Sequence, residues 1–82
     1  MISVSVLFFG PAREPAGCAS ARLEISADAT AGGLRPLLAE RFAGLARGLP
    51  AMRFAVNRTF VNDGHRLQDG DEVAVIPPVS GG

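Results

Sequence analysis

The sequence has little of the side-chain chemistry that most enzymes and metalloproteins use. Its 82 residues include one cysteine, one histidine and no lysine, so all eight basic residues are arginines. Cys18 has no partner for an internal disulfide, which is typical of a protein from a reducing compartment. One cysteine and one histidine also fall short of the ligand set of a structural zinc site. We therefore expect neither a metal centre nor a disulfide framework.

A net charge of one sign is also missing. Eight basic residues balance eight acidic ones, and no run of like charges occurs. This balance excludes the electrostatic attraction that drives binding to nucleic acid or to an anionic membrane. The N-terminal apolar stretch, residues 4–9, has no basic flank and is too short for a signal peptide or a membrane span. With 48% hydrophobic residues, the chain is expected to form one small, soluble, cytoplasmic domain.

The few candidate catalytic groups lack the partners that catalysis requires. His65 lies in a turn sequence without a neighbouring nucleophile, so we expect a surface residue. No cation closely flanks Cys18 and no second cysteine could resolve it, which argues against a reactive thiol. Asp71 and Glu72 lie at a turn and are expected to be solvated. The Gly32-Gly33 pair lacks the lysine and the spacing of a phosphate-binding loop.

Alternation of apolar and polar residues predicts the first two strands. Residues 2–9 place β-branched and aromatic side chains on one face at every second position, as a strand does. The other face changes from serines at its start to Leu7 and Phe9 at its end, so this end of the strand is expected to be covered on both sides. Residues 12–20 are rich in small residues and indicate a loop. Residues 21–25 alternate again and should pair with the first strand as a hairpin.

A helix is predicted next. Its apolar stripe has helical spacing and comprises Leu34, Leu37, Leu38 and Phe42. Thr30 is a candidate N-cap, but a helix beginning there would place Pro36 one turn inside it, against the carbonyl of Gly32. The alternatives are a kinked helix and a later start near Gly33. The later start is favoured because proline is tolerated in a first turn, where N–H groups have no intrahelical partner.

The rest of the chain predicts a mixed sheet beneath this helix. Residues 43–51 contain two glycines and a proline and indicate a loop. Strands are expected at 54–57, at 60–61 after a turn, and at 72–76. A central place for the last strand, beside the first, would bury its two valines. The fold class is therefore α+β: one main helix packed across a mixed sheet of four to five strands, in two layers.

The C-terminal tail, residues 77–82, carries the strongest functional signal. Its diproline cannot donate to a ladder, so the folded domain should end at residue 76 and the tail should leave it extended. Gly81 and Gly82 have no side chain and fit a channel too narrow for a Cβ atom. The carboxylate that ends the sequence becomes an acyl donor only when joined to a leaving group such as AMP. We expect a domain over 1–76 and a flexible, functional tail; a frayed end without function is the alternative.

Three stretches of the sequence resemble the MoaD family. They are Val6-Leu7-Phe8-Phe9-Gly10-Pro11-Ala12-Arg13-Glu14, the region from Ala55-Val56-Asn57 to Asp69-Gly70-Asp71-Glu72-Val73, and the ending Ile76-Pro77-Pro78-Val79-Ser80-Gly81-Gly82. MoaD proteins are the small subunits of molybdopterin synthase, which are sulfur carriers with a ubiquitin-like β-grasp fold. The resemblance covers essentially the whole chain and implies that fold here.

The resemblance also implies a sulfur-transfer cycle. An ATP-using, E1-like enzyme of the MoeB type would adenylate Gly82, and a sulfur donor protein would convert it to a thiocarboxylate. The tail, with Gly81 and the Gly82 thiocarboxylate at its tip, would thread into a MoaE-like large subunit. There the thiocarboxylate would supply sulfur to cyclic pyranopterin monophosphate, building the dithiolene of molybdopterin. The catalytic residues would lie mainly on the large subunit, in a heterotetramer of two small and two large subunits. This chain would be a non-catalytic co-substrate without a permanent cofactor, carrying only a transient adenylate and the thiocarboxylate.

The family's partner surface is an apolar patch around the exit of the tail. By position it maps onto Phe9, Phe60 and Ile76, with Pro77, Pro78, Val79 and Ser80 as the inserted stalk. An exposed apolar patch on so small a domain is typical of a docking site; the alternative is that Phe9 and Phe60 are core residues. Arg13 and Glu14 match a family position without an assigned role. Ile76 stands where an aromatic residue is common.

Other functions are compatible with the same residues. They are a sulfur carrier for another pathway such as thiazole synthesis, a ubiquitin-like modifier whose last glycine is joined to lysines of target proteins, and an interaction module with an inert tail. Carriers for thiazole synthesis are usually shorter and lack the Pro-Pro-Val ending. The absence of lysine has two explanations: it removes amines that would attack an activated C-terminus, or it reflects a coding bias toward Arg, Ala and Gly.

Overall fold

A five-stranded mixed sheet forms one layer of the structure, which the computed structural model describes for residues 1–78. The strands are β1 (Ile2–Phe8), β2 (Ser20–Ile25), β3 (Arg53–Val56), β4 (Thr59–Val61) and β5 (Glu72–Ile76). The main helix, α2 (Leu34–Arg41), forms the second layer, and a one-turn helix, α1 (Arg13–Ala16), follows β1. The prediction of an α+β fold with one main helix is confirmed. Residues 79–82, and with them most of the predicted tail, lie outside the described residues.

The first and last strands lie side by side in the middle of the sheet. The spatial order is β2-β1-β5-β3-β4. β1 and β5 run parallel, whereas each other neighbouring pair is antiparallel. Val73 and Val75 of β5 are fully buried, and Ile76 lies on the opposite face. The central position predicted for the last strand is therefore confirmed.

The core lies between one face of the sheet and helix α2. Val6 on β1 and Leu34 and Leu38 on α2 are fully buried in one cluster. Leu37, in contrast, is 39% exposed, so the predicted stripe is wrong at that position. At about 100° per residue, Leu37 lies about 60° around the helix axis from Leu34 and about 100° from Leu38, which places it on the flank of the buried side.

Helix α2 begins at Leu34, as the later of the two predicted starts requires. Pro36 is then its third residue, where a backbone N–H would have no intrahelical acceptor. The hydroxyl of Thr30 accepts a hydrogen bond from the N–H of Gly33 (3.2 Å), so this threonine closes the turn before the helix. Within residues 1–78, none of the helices is both long and apolar enough to traverse a bilayer.

The prediction of a loop over residues 12–20 is wrong for the first half of that segment. A 3-10 turn (Gly10–Ala12) leads directly into α1, which ends at Gly17 with φ of 78°. The side chain of Arg13 holds this turn against the strand by donating from Nε to the carbonyl oxygen of Phe8 (3.2 Å). A helix of four residues is too short to show a helical period, which is why alternation and periodicity missed it.

Residues 43–51 were also predicted as a loop and instead form two 3-10 turns that each bury one leucine. The first turn packs closely on α1. A Cβ atom at Gly44 would lie only 2.4 Å from the carbonyl oxygen of Pro15, so this approach requires glycine. The glycines of this segment therefore serve packing.

Candidate functional site

The face of the sheet without the helix carries an apolar patch at the end where β5 stops. Strand register places Leu7, Ala74, Ala55 and Phe60 in one row across β1, β5, β3 and β4. The next row toward the tail contains Phe9, Ile76 and Arg53. We call the apolar members of these two rows the outer patch: Leu7, Phe9, Ala55, Phe60, Ala74 and Ile76. The patch thus lies directly beside the point from which the chain leaves the sheet.

Two large side chains of the outer patch are substantially exposed. Phe9 is 45% and Phe60 is 53% exposed, while Ile76 and Pro77 are half-buried. The alternative that the two phenylalanines are core residues is therefore wrong. The expectation that the end of β1 is covered on both sides is also wrong for the isolated chain, because α2 covers only the other face. Exposed aromatic side chains in one patch are typical of a surface that a partner covers.

The predicted stalk and reacting residues lie only partly within the described chain. Pro77 and Pro78 follow β5 directly, and Pro78 is exposed. The stalk residues Val79 and Ser80 and the predicted reacting residues Gly81 and Gly82 lie outside the described residues. What the structure gives for the tail is therefore its base and its direction of departure from the sheet.

A polar network fixes the start of β5 and thereby the base of the tail. Asp71 is buried, with 9% exposure. One carboxylate oxygen accepts a hydrogen bond from Asn57 Nδ2 (2.9 Å) and the other from the N–H of Gln68 (2.8 Å). Asn57 Oδ1 in turn accepts from the N–H of Glu72 (3.0 Å). The prediction that Asp71 is solvated is wrong, whereas the side chain of Glu72 is exposed as predicted.

The turn that precedes β5 is also bonded to β1. Asp69 Oδ1 accepts from the N–H of Ser3 (2.8 Å), and the N–H of Gly70 donates to the Ser3 carbonyl oxygen (2.8 Å). The carbonyl oxygen of Asp71 accepts from the N–H of Ser5 (2.9 Å). Gly70 has φ of 85°, a conformation that L side chains rarely adopt. The Asp-Gly-Asp-Glu-Val segment is thus structural, because it sets the register in which β5 enters the sheet.

An arginine–aspartate pair lies on the helix side of the sheet. Arg35 on α2 donates to both carboxylate oxygens of Asp63, from Nη2 at 3.0 Å and from Nε at 3.3 Å. Its guanidinium carbon lies 4.6 Å from the ring centroid of Phe54, and it also donates to the carbonyl oxygen of Leu49. The hydrogen bond from Arg35 lowers the pKa of Asp63, as a bond from Ser26 does for the pKa of Asp28. Arg35 therefore ties α2 to two loops and to β3.

The remaining candidate residues do not form a catalytic cluster in the described part of the chain. The fold brings Arg13 and Cys18 to the wall of one open surface pocket. This places a cation near the cysteine, which the sequence spacing does not predict. His65 is exposed. Among residues 1–78, no group of three or more histidine, cysteine or acidic side chains is placed to hold a metal ion.

Known proteins resemble the chain over nearly its full length. The model of the ThiS family matches residues 6–82. The chain is 42% identical over 82 residues to the molybdopterin synthase sulfur carrier subunit of Escherichia coli (strain K12), covering 96% of this chain and 99% of that protein.

Solved structures show the same likeness. SAMP1 from Haloferax volcanii superposes with a TM-score of 0.85 at 28% identity, covering 98% of this chain and 99% of that one. A chain from the complex of subunits 1 and 2 of the molybdopterin-converting factor of Helicobacter pylori 26695 superposes with a TM-score of 0.73 at 32% identity, covering 99% and 100%.

Proposed function

Because the chain belongs to the ThiS family and has its ubiquitin-like β-grasp fold, we propose that it is the sulfur carrier subunit of a molybdopterin synthase. The observation that carries the proposal is the placement of the tail: a sequence ending in two glycines leaves the central strand β5 beside the exposed outer patch. A relative with this role matches 96% of the chain. A similar chain has been solved together with subunit 2 of a molybdopterin-converting factor.

In the proposed cycle the reacting group is the carboxylate of Gly82. An E1-like enzyme of the MoeB type joins it to AMP, with release of pyrophosphate from ATP. The terminal sulfur of a persulfide on a sulfur donor protein then attacks the acyl carbon and displaces AMP, and a thiol reductant cleaves the resulting disulfide bond to the donor, which leaves a thiocarboxylate on Gly82. In the MoaE-like large subunit, the sulfur of this thiocarboxylate bonds to cyclic pyranopterin monophosphate, and water then cleaves the bond between that sulfur and the glycyl carbon, which regenerates the carboxylate for another round. The chain is thus a co-substrate that is consumed and recharged.

The described residues of the chain contribute position to this cycle. The network around Asp71 and the parallel pairing with β1 hold β5 in the centre of the sheet. Pro77 and Pro78 restrict the backbone at the base of the tail, because proline fixes φ and disfavours the helical region for the residue before it. The outer patch docks on the large subunit, and burial of Phe9 and Phe60 there stabilises the complex by removing apolar surface from water. Docking and insertion of the tail then occur together.

Deleting Gly82 tests the identity of the reacting group. Incubated with the activating enzyme, ATP and a sulfur donor, the full chain should show by intact mass one oxygen replaced by sulfur, and it should support molybdopterin formation. The chain without Gly82 should show neither, while its thermal unfolding stays unchanged. Retained sulfur transfer in the deletion variant would refute the proposal. Conjugates of higher mass that survive thiol reductant would instead indicate a protein modifier.

A matched pair of variants tests the docking surface. Phe9→Ser and Leu37→Ser both remove an exposed large apolar side chain, the first from the outer patch and the second from the flank of α2. Phe9→Ser should weaken binding to the large subunit by about tenfold, since truncating a central apolar contact typically costs more than about 1 kcal/mol. Leu37→Ser should bind as the unmodified chain does. Calorimetric titration of the large subunit would measure both.

A further inference from the structure

One charged side chain lies within the otherwise apolar rows of the outer patch. Arg53, the first residue of β3, pairs with Ile76, the last residue of β5. It therefore lies beside the point where the tail leaves the sheet. On β1, β5, β3 and β4 the other described members of the two rows are the apolar residues of the outer patch, and on β2 the uncharged Ser20 adjoins Leu7. Any partner that covers the patch consequently also covers, or borders, this guanidinium.

The guanidinium of Arg53 is held in place by an aromatic ring. Its central carbon lies 4.3 Å from the ring centroid of Phe60. Ala55 is the direct cross-strand partner of Phe60, so Arg53 is its diagonal neighbour, a spacing that long side chains bridge. Because stacking restricts the side chain, less conformational freedom is lost when the guanidinium later binds an anion.

The chain contains a second stack of the same kind that is complete. Arg35 lies over Phe54 at 4.6 Å and is paired with the carboxylate of Asp63. Arg53 repeats the stack, but no carboxylate of residues 1–78 lies within ion-pair distance of it. The Arg53 site thus lacks the anion of the Arg35 site, as well as the carbonyl acceptor that Leu49 provides there.

We propose that Arg53 pairs with a carboxylate of the large subunit and thereby sets the orientation in which that subunit docks on the outer patch. This inference rests on the proposed function. When the partner covers the patch, an unpaired guanidinium loses water without compensation, which is costly. A planar guanidinium binds a carboxylate through two parallel hydrogen bonds. Apolar contacts alone allow the two surfaces to slide, whereas such a pair permits one alignment, with the tail at the entrance of its channel.

The test compares two arginine variants that change the net charge equally. Arg53→Gln removes the proposed anchor, and Arg41→Gln removes an exposed arginine from the end of α2, in the other layer. With the large subunit of the same organism, calorimetry should show Kd raised about tenfold for Arg53→Gln and changed by less than about twofold for Arg41→Gln. Arg53→Glu should raise Kd about a hundredfold, since it places two carboxylates together.

Further readouts separate the possible failures. Binding equally strong for Arg53→Gln and Arg41→Gln would overturn this inference and leave the proposed function intact. No binding by the unmodified chain, together with no thiocarboxylate, would overturn both. Charge reversal of one acidic residue of the large subunit to arginine should restore binding of Arg53→Glu. If no surface carboxylate of the large subunit gives this rescue, the inference is wrong. Thermal unfolding of each variant should match that of the unmodified chain, because Arg53 is exposed.

Discussion

Replacing Asp71 with asparagine should destabilise the domain, whereas the same chemical change at the next residue, Glu72→Gln, should not. Both substitutions exchange a carboxylate for an amide of equal size and remove one negative charge from the start of β5. They differ in burial, because Asp71 is 9% exposed and the side chain of Glu72 faces solvent. The pair therefore isolates the hydrogen bonds of the buried carboxylate from any general effect of charge.

The magnitude follows from the donors around Asp71. Its two oxygens face the Asn57 amide nitrogen and the N–H of Gln68, and an asparagine would turn a donor toward one of them. Asn57 cannot compensate by flipping, because its oxygen already accepts from the N–H of Glu72. Losing one hydrogen bond to a charged group costs about 2 kcal/mol. In a domain of this size that lowers Tm by about 8–16 °C.

Urea denaturation followed by circular dichroism is the suitable assay, because the chain has no tryptophan or tyrosine. The midpoint should fall by about 1–2 M urea for Asp71→Asn and remain unchanged for Glu72→Gln. Amide exchange should accelerate in β5 of the first variant, since the network closes the start of that strand. Equal midpoints for the two variants would refute the view that this network anchors β5.

Two further substitutions test the packing of the loops. Gly44→Ala should lower the free energy of unfolding by about 2 kcal/mol, because its Cβ atom would lie 2.4 Å from the Pro15 carbonyl oxygen. Gly64→Ala is the control and should be tolerated, because the atom nearest to its Cβ would be 3.4 Å away. Equal thermal stability of the two variants would contradict this prediction. Arg35→Gln should raise the pKa of Asp63 toward the ordinary aspartate range, which NMR titration of the carboxyl carbon would detect. Because folding lowers the pKa of Asp63, the pair with Arg35 stabilises the fold at pH values above the unfolded-state pKa of Asp63. This stabilisation is lost as the pH falls through the folded-state pKa. The difference in unfolding free energy between the unmodified chain and Arg35→Gln should therefore narrow below about pH 4. An unchanged Asp63 titration would show that the pair does not form.

Strands and turns could be predicted from the sequence because they depend on local patterns. Alternation located β1 and β5, and the two buried valines of β5 correctly placed it in the middle of the sheet. The conflict between Thr30 as a cap and Pro36 inside a helix led to the right start of α2, since proline geometry is a local constraint.

The features that were missed depend on contacts between different elements of the fold. Asp71 looks like an exposed turn residue because nothing nearby in the sequence shows that Asn57, in the turn after β3, donates to it. The role of Arg13 depends on the carbonyl of Phe8 at the end of β1. The stacking of Arg53 on Phe60 requires the register of a hairpin. Tertiary neighbours decide burial and pairing at each of these sites, and periodicity does not report them.

The pairing of β1 with β5 also affects when the chain can fold during its synthesis. Without residues 72–76 the sheet would fall apart into two hairpins, and a two-stranded hairpin alone is at best marginally stable. The sheet therefore closes only after β5 has left the ribosome, since both of its neighbours precede it in the chain. A contact between the two ends of the chain also makes this a slow type of closure. A nascent chain that still lacks the base of its tail therefore has no folded outer patch and cannot bind a partner through it.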